Sequence, residues 1–289
     1  TQWSSSAASD VYKRQKEIFL RVDLELSNIL IVGVVRNCEK KVIDEVNKIN
    51  DAFSNALSIQ WLIVESDSQD ETVESLRKLN NKINLRFLAL GNLIEKFPKR
   101  TERIAFCRNV YIREINSNKT YENIQYIIVA DLDGVNCDLS VQSVNKCWES
   151  NVDWDACFAN QSEPYYDVWA LRHNEWSPDD CWKLFRYLHR KGMPIPKAQF
   201  IAVYSRMLNI HKEYAPIKVR SAFGGLGIYK KNIIKNCFYN GLDENGRECC
   251  EHVAFHNQMK KGTKLYIIPG LINCGWNEHN KIFKPKEIQ

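Results

Sequence analysis

Two aspartates one residue apart, Asp131 and Asp133, follow the apolar run Tyr126–Ala130 and precede Gly134. A buried strand ending on Asp-x-Asp-Gly sets carboxylates at a sheet edge, where ligands of α/β proteins commonly bind. Two chemistries use such an ending. In one, Asp131 is a nucleophile that takes a phosphoryl group. In the other, the pair holds a hard divalent cation beneath a nucleotide diphosphate, because Mg²⁺ and Mn²⁺ take oxygen ligands and bridge phosphates. The pair alone does not separate the two.

The elements that position it are read from periodicity. "ILIVGVV" (Ile29–Val35) is a continuous β-branched run, as expected of a strand buried on both faces. Val42, Val46, Ile49 and Phe53 form one helical stripe after it. Trp61–Val64 is a second buried strand, and Ser68 or Asp70 can cap a helix over Thr72–Leu79. Leu85–Leu90 is a third strand, and a helix around Arg103–Ile115 leads to the fourth at Tyr126–Ala130. Alternation of this kind implies the α/β class, with a mostly parallel sheet flanked by helices. The polar strand endings Arg36-Asn37, Glu65-Ser66-Asp67 and Asp131-x-Asp133 then share one rim.

The phosphotransfer reading matches phosphatases of the haloacid-dehalogenase type locally, at "VADLDGV". That chemistry also needs a later Ser/Thr, a Lys and a second acidic cluster after another apolar strand. The downstream doublet Asp179-Asp180 instead reads as a helix N-terminus, where acidic residues suit the macrodipole. The last strand, around Leu265–Ile268, ends in Pro-Gly. The metal reading finds its companions. "IVGVVRN", "WLIVESDSQDET", "RTERIAFCRNVYIRE" and "VADLDG", in that order, resemble the GT-A glycosyltransferases of the "VDDGSxDxT" type over Asn28–Asn136. Glu65-Ser66 stands where two Asp are common, which leaves base selectivity open.

The resemblance implies a GT-A (Rossmann-like) domain at 28–289, with a nucleotide-sugar half at 28–136 and an irregular acceptor and catalytic half at 137–289. It implies Glu65, Asp67, Arg103, Arg108 and Asp131 at the nucleotide, and Asp131 and Asp133 on Mn²⁺ or Mg²⁺. Some enzymes of this fold complete the metal shell with a C-terminal histidine, here His256 ahead of His252 or His279. Gly224 and Gly225 match a Gly-Gly turn that lets backbone approach the donor, and Glu251 the acidic residue that acts as base. Tyr166, Asp167, Trp169 and Arg172 suit a sugar site, since aromatic faces stack on sugar rings while Asp and Arg hydrogen-bond hydroxyls. "EPYYDVWALRH" is also similar to stretches of microbial surface-polysaccharide mannosyltransferases. The implied activity is metal-dependent transfer of a sugar from a nucleotide-diphospho-sugar to a glycan or glycolipid acceptor. The alternatives are a sugar nucleotidyltransferase, which would want a Gly-rich loop after the first strand, the phosphatase, and a non-catalytic glycan-binding protein.

Bulk properties agree with a globular small-molecule enzyme. The net charge of +5 on 289 residues is modest and spread without long basic runs, so no nucleic-acid partner is expected. The ten cysteines include no Cys-x-x-Cys pair and several lie in apolar segments, so free thiols in a reducing, cytoplasmic setting are expected rather than disulfides or zinc. No apolar run reaches the roughly 18–20 residues of a membrane span, which leaves peripheral membrane association open. Residues 1–27 are expected to be an extension, with 1–15 reading as a cloning or sequence-assembly remnant without the apolar centre of a signal peptide.

Overall fold

The computed structural model describes residues 22–285; the expected remnant at 1–15 lies outside the described residues. Within them the sheet has eight strands in the order β3-β2-β1-β4-β7-β5-β8-β6. These are β1 (Asn28–Val35), β2 (Ser58–Glu65), β3 (Leu85–Ala89), β4 (Tyr126–Ala130), β5 (Ala156–Gln161), β6 (Ile217–Val219), β7 (Leu226–Lys230) and β8 (Leu265–Cys274). β1 pairs in parallel with both β2 and β4, and β3 with β2, which is the α/β arrangement the sequence implies. β7 inserts antiparallel between β4 and β5, and β8 runs parallel to β5. The second half therefore continues the same sheet.

The uninterrupted apolar runs have a simple cause. Leu30, Val32, Leu62, Val64, Ile127 and Val129 join one buried cluster, and Ile29, Ile31, Trp61, Ile63, Tyr126 and Ile128 the other. Successive side chains alternate between faces, and both faces are covered. α1 (Val42–Ala52), α2 (Thr72–Asn80) and α4 (Val141–Glu149) contribute to the second cluster, and α3 (Arg100–Ser117) with α7 (Glu251–His256) to the first. Each fully buried aliphatic side chain contributes about 1.5–3 kcal/mol by leaving water. α5 (Cys181–Arg190) and α6 (Ile195–Ala202) form a hairpin in the less regular lobe. Asp180 caps α5 by accepting from the Lys183 amide, as the acidic doublet suggested.

Residues 22–27, expected in the extension, pack on the domain: Leu24 is buried, and the Val22 carbonyl accepts from Tyr126 Oη and Trp148 Nε1. Among the described residues no disulfide is formed. Among the described residues no helix is long and apolar enough to cross a membrane.

The connection order reverses between β1 and β4: the chain runs outward from β1 through β2 to β3, then returns to the other side of β1. Such a switch point opens a crevice beyond the carboxyl ends of the strands. Gly33 permits the close approach there, because a Cβ would lie 2.7 Å from Leu132 Cδ1 and 2.9 Å from the Ala130 carbonyl.

Candidate active site

A cleft of about 960 Å³ opens at that switch point. Arg36, Ser66, Asp67, Asp131 and Asp133 line it from the strand ends, and Tyr166, Asp167, Trp169, Phe223 and Glu251 from the second half. The "SDSQDET" turn builds the rim by tying two loops together. Ser68 Oγ accepts from the Asn37 amide, Asp70 Oδ2 from Glu39, and Thr72 Oγ1 from Cys38. Asp70 Oδ1 also accepts from the Thr72 amide at the start of α2, so the motif's polar residues are spent on architecture.

Asp67 sits in that turn with φ of 60°, a left-handed conformation that Asp tolerates better than most residues. Burial opposes its ionisation, but the Leu93 and Ile94 amides donate to Oδ1 and hold the carboxyl below its usual range. Oδ2 has no hydrogen-bond partner and lies 3.9 Å from Arg103 Nε. Asp67 thus lines the cleft from the end of β2, with its side chain only 3% exposed. Glu65 is also buried, does not line the cleft, and its Oε1 accepts from the Ser68 amide.

The centre of the site is Arg108 on α3, with its side chain 3% exposed. Nη2 donates to Asp131 Oδ1 at 3.1 Å, Nη1 to Tyr111 Oη at 3.3 Å, and Nε lies 3.3 Å from Glu251 Oε1. Its guanidinium also lies against the rings of Phe223 and Tyr239. One cation therefore joins the Asp-x-Asp strand end to the start of α7. Burial raises the Asp131 carboxyl; Arg108 opposes the shift, and Asp133, Glu251 and Asp167 reinforce it. Arg108 thus meets two carboxylates directly, Asp131 and Glu251, while Asp133 and Asp167 add to the negative field at Asp131. Asp131 keeps 36% of its side-chain exposure, so cleft water moderates the effect.

The second half shapes the opposite wall. Asp167 accepts from the Gly224 and Ala170 amides, though burial still raises its carboxyl. Gly225 accepts at its carbonyl from the Asp131 amide. Both glycines have positive φ, and a Cβ on Gly225 would meet Tyr166 Oη at 2.7 Å. The Gly-Gly turn positions Asp131 and Asp167 from behind rather than lining the cleft itself. Tyr166 stacks on His279, and Trp169 Nε1 donates to Asp180.

Two sequence expectations need correction beside that of Glu65. His256 faces the core, 4% exposed, with Ser221 Oγ at 2.8 Å from Nδ1 and Tyr229 Oη at 2.9 Å from Nε2, so neither nitrogen is available to a metal. The histidines that line the cleft are His252 and His279. Arg172 is buried away from the cleft and holds the Trp169 and Leu171 carbonyls and Asp180. Arg103 lines the cleft, but its Nη1 is spent on the Phe97 and Pro98 carbonyls. Arg36, Arg100 and Arg186, not singled out from sequence, also line the cleft, and among the described residues no hydrogen bond or ion pair engages their side chains. Arg36 was legible in principle, since it directly follows β1.

Histidines 252 and 256 give the fold a pH signature. Burial pushes His256 down to about 3 and His252 well below its usual value, where Arg108 and His256 add to the effect. Both stay neutral in the fold but titrate near 6.5 when unfolded, so acid favours the unfolded chain. Stability from this source is intact above pH 6.5 and falls as pH drops below it, by about 1.4 kcal/mol per pH unit per histidine. Urea denaturation across this range should show the decline, and His256→Gln should flatten it by about one histidine's share.

No protein-family model and no curated protein matches the chain. Among solved structures, it is similar to the mannosyltransferase PcManGT from Pyrobaculum calidifontis in complex with GDP-Man and Mn²⁺. Identity is 10% and TM-score 0.49, over 93% of this chain and 64% of that one. It is also similar to S. aureus TarS 1-349 in complex with UDP-GlcNAc, at 11% identity and TM-score 0.49, over 90% of this chain and 61% of that one. The chain thus spans less than two thirds of either. At these values the likenesses do not establish a family.

Proposed function

We propose that the protein is a glycosyltransferase that takes a sugar from a nucleotide-diphospho-sugar and passes it to a glycan or glycolipid hydroxyl. The observation that carries this reading is the pairing of Asp131 and Glu251 on Arg108, with Asp133 and Asp167 lining the same cleft at the sheet's switch point. Two carboxylates on adjoining backbone, with free arginines across the cleft, match the needs of a diphosphate and its counter-ion.

The donor set fits Mn²⁺ or Mg²⁺. Asp131 and Asp133 offer hard oxygens, and among the described residues no three His, Cys, Asp or Glu side chains gather to enclose a metal. Few protein ligands suit a cation that also binds phosphate oxygens and water. Such an ion, when bound, supplies Lewis-acid neutralisation of the leaving diphosphate. The chain's own residues do the rest. Asp67 faces the base or ribose, Arg36 and Arg100 the phosphates, and Tyr166 and Trp169 offer aromatic faces to a sugar. Glu251 accepts the acceptor hydroxyl's proton at a carboxylate oxygen, held in place by Arg108. With Glu251 as base the step is a direct displacement, the hydroxyl oxygen bonding to the sugar carbon as the nucleotide diphosphate leaves.

Phosphotransfer through Asp131 fits less well: Arg108 already occupies one of its oxygens, and no lysine lines the cleft among the described residues. The test is nucleotide release from a panel of nucleotide-sugars with Mn²⁺. Asp133→Asn should lower turnover at least ~10²-fold and leave thermal stability within about 1 kcal/mol, since Asp133 is exposed and its carboxylate supports nothing in the fold. Wild-type turnover in that variant would remove Asp133 from the site.

A further inference from the structure

The hairpin of α5 and α6 carries a surface that the transfer reaction does not explain. Between Cys181 and Lys212 the chain has seven Lys or Arg and no Asp or Glu. Only two are matched by acids from elsewhere: Arg206 is buried on Asp179, and Lys183 lies 3.8 Å from Asp243. Arg186 lines the cleft, and the exposed Arg190, Lys191, Lys197 and Lys212 have no ion-pair partner among the described residues.

The same stretch is unusually apolar on the outside. Of the twelve large hydrophobic side chains exposed among the described residues, five lie here: Tyr187, Ile195, Phe200, Ile201 and Leu208. On α5, exposed Lys183, Tyr187 and Arg190 follow i, i+4, i+7 spacing and share a face. On α6, exposed Lys197, Phe200 and Ile201 do the same at i, i+3, i+4, while Ala198 and Ala202 turn inward. The inward side is accounted for, since Trp182, Gln199, Val203, Tyr204 and Met207 line the cleft.

Exposed aromatic and aliphatic side chains interleaved with unpaired cations, on helices too short to span a bilayer, are what an anionic lipid surface binds. Protein interfaces are depleted in lysine at their cores, whereas this stretch interleaves lysines and arginines with its exposed apolar side chains. We propose that the outer face of the α5–α6 hairpin docks on an anionic membrane surface, with the cations at phosphate headgroups and Phe200, Ile201 and Ile195 at the acyl boundary. Because the inner face of the same hairpin is a wall of the cleft, docking brings the cleft close to the bilayer. On the function proposed above, a lipid-borne acceptor is then met at the surface; vesicle binding itself does not depend on that function.

The test is co-sedimentation of the whole chain, without nucleotide or metal, with vesicles of phosphatidylcholine alone or mixed with phosphatidylglycerol. The chain should bind the mixed vesicles and be released by salt, with little binding to the neutral ones. The pair Lys191→Glu/Lys197→Glu should weaken binding at least ~10-fold, because each cation near an anionic surface contributes on this scale. Lys260→Glu/Lys261→Glu makes the same change of net charge in the exposed loop after α7 and should leave binding near wild type. Phe200→Ser/Ile201→Ser should weaken it as well, and all three pairs replace exposed side chains whose loss leaves the circular dichroism spectrum unchanged. Three results would overturn the proposal: no binding to mixed vesicles at low salt, equal loss in both charge-reversal pairs, or a Phe200→Ser/Ile201→Ser chain that binds normally but changes oligomeric state, which would assign the face to a protein.

Discussion

Arg108→Met is expected to be the most damaging single substitution in the site. Arg108 is the cation that touches both Asp131 and Glu251, and its side chain is 3% exposed. Methionine fills the space against Phe223 and Tyr239 but leaves two carboxylates facing Asp133 and Asp167 without an internal counter-charge. Removing one partner of a buried pair costs about 3–5 kcal/mol. The low end applies here, because Asp131 retains access to cleft water and can take up a proton. That relief sets a pH dependence whose sign is fixed. A carboxyl raised in the fold binds protons more readily there than in the unfolded chain, so its stability is present at low pH and lost as pH rises. Urea denaturation should therefore show a larger deficit for Arg108→Met at mildly alkaline than at mildly acid pH. Arg108→Lys should recover part of the stability and little of the turnover, since one ammonium cannot reach Asp131, Tyr111 and Glu251 together. A methionine variant as stable as wild type at alkaline pH would show that the arginine does not hold the cluster.

The second large effect concerns Glu251. It opens α7 with a 10% exposed side chain, held against Arg108 and beside His252 at 3.8 Å. Glu251→Gln keeps its shape and a polar contact to Arg108 but removes the proton acceptor. General-base catalysis contributes roughly 10²–10⁴-fold, and turnover should fall by that amount. The dissociation constant for the nucleotide should not change, because the lost interaction matters only as the hydroxyl proton moves. A variant that loses nucleotide affinity while keeping turnover would place Glu251 at the donor rather than the acceptor.

How much of this was readable from sequence varies with the physics of each residue. The strands and helices of the first half were readable because both sheet faces are covered, which produces unbroken apolar runs that fix strand position. Asp131 and Asp133 followed directly, being the residues after such a run. What failed was side-chain direction. His252 and His256 share a helix face at i, i+4 spacing, yet spacing does not say which nitrogen environment each meets; His256 found Ser221 and Tyr229 in the core and His252 the cleft. Glu65 and Asp67 lie two residues apart at one strand end, but the chain turns through the left-handed conformation at Asp67, and Asp67 lines the cleft while Glu65 does not. Arg172 shows a related failure: an arginine among aromatic residues suggests a ligand, but here the Trp169 and Leu171 carbonyls and Asp180 take the guanidinium.

The central claim is that Asp131 and Asp133 hold a cation beneath a nucleotide diphosphate. Thermal or chemical stability of the wild-type chain with uridine or guanosine diphosphate, with and without Mn²⁺, tests it most directly. At least one nucleotide should stabilise the protein, by about 2.7 kcal/mol at a hundredfold excess over Kd, and the gain should require the cation and vanish in Asp133→Asn. Absence of any nucleotide stabilisation with Mn²⁺ present, or trapping of a phosphoryl group on Asp131, would contradict it.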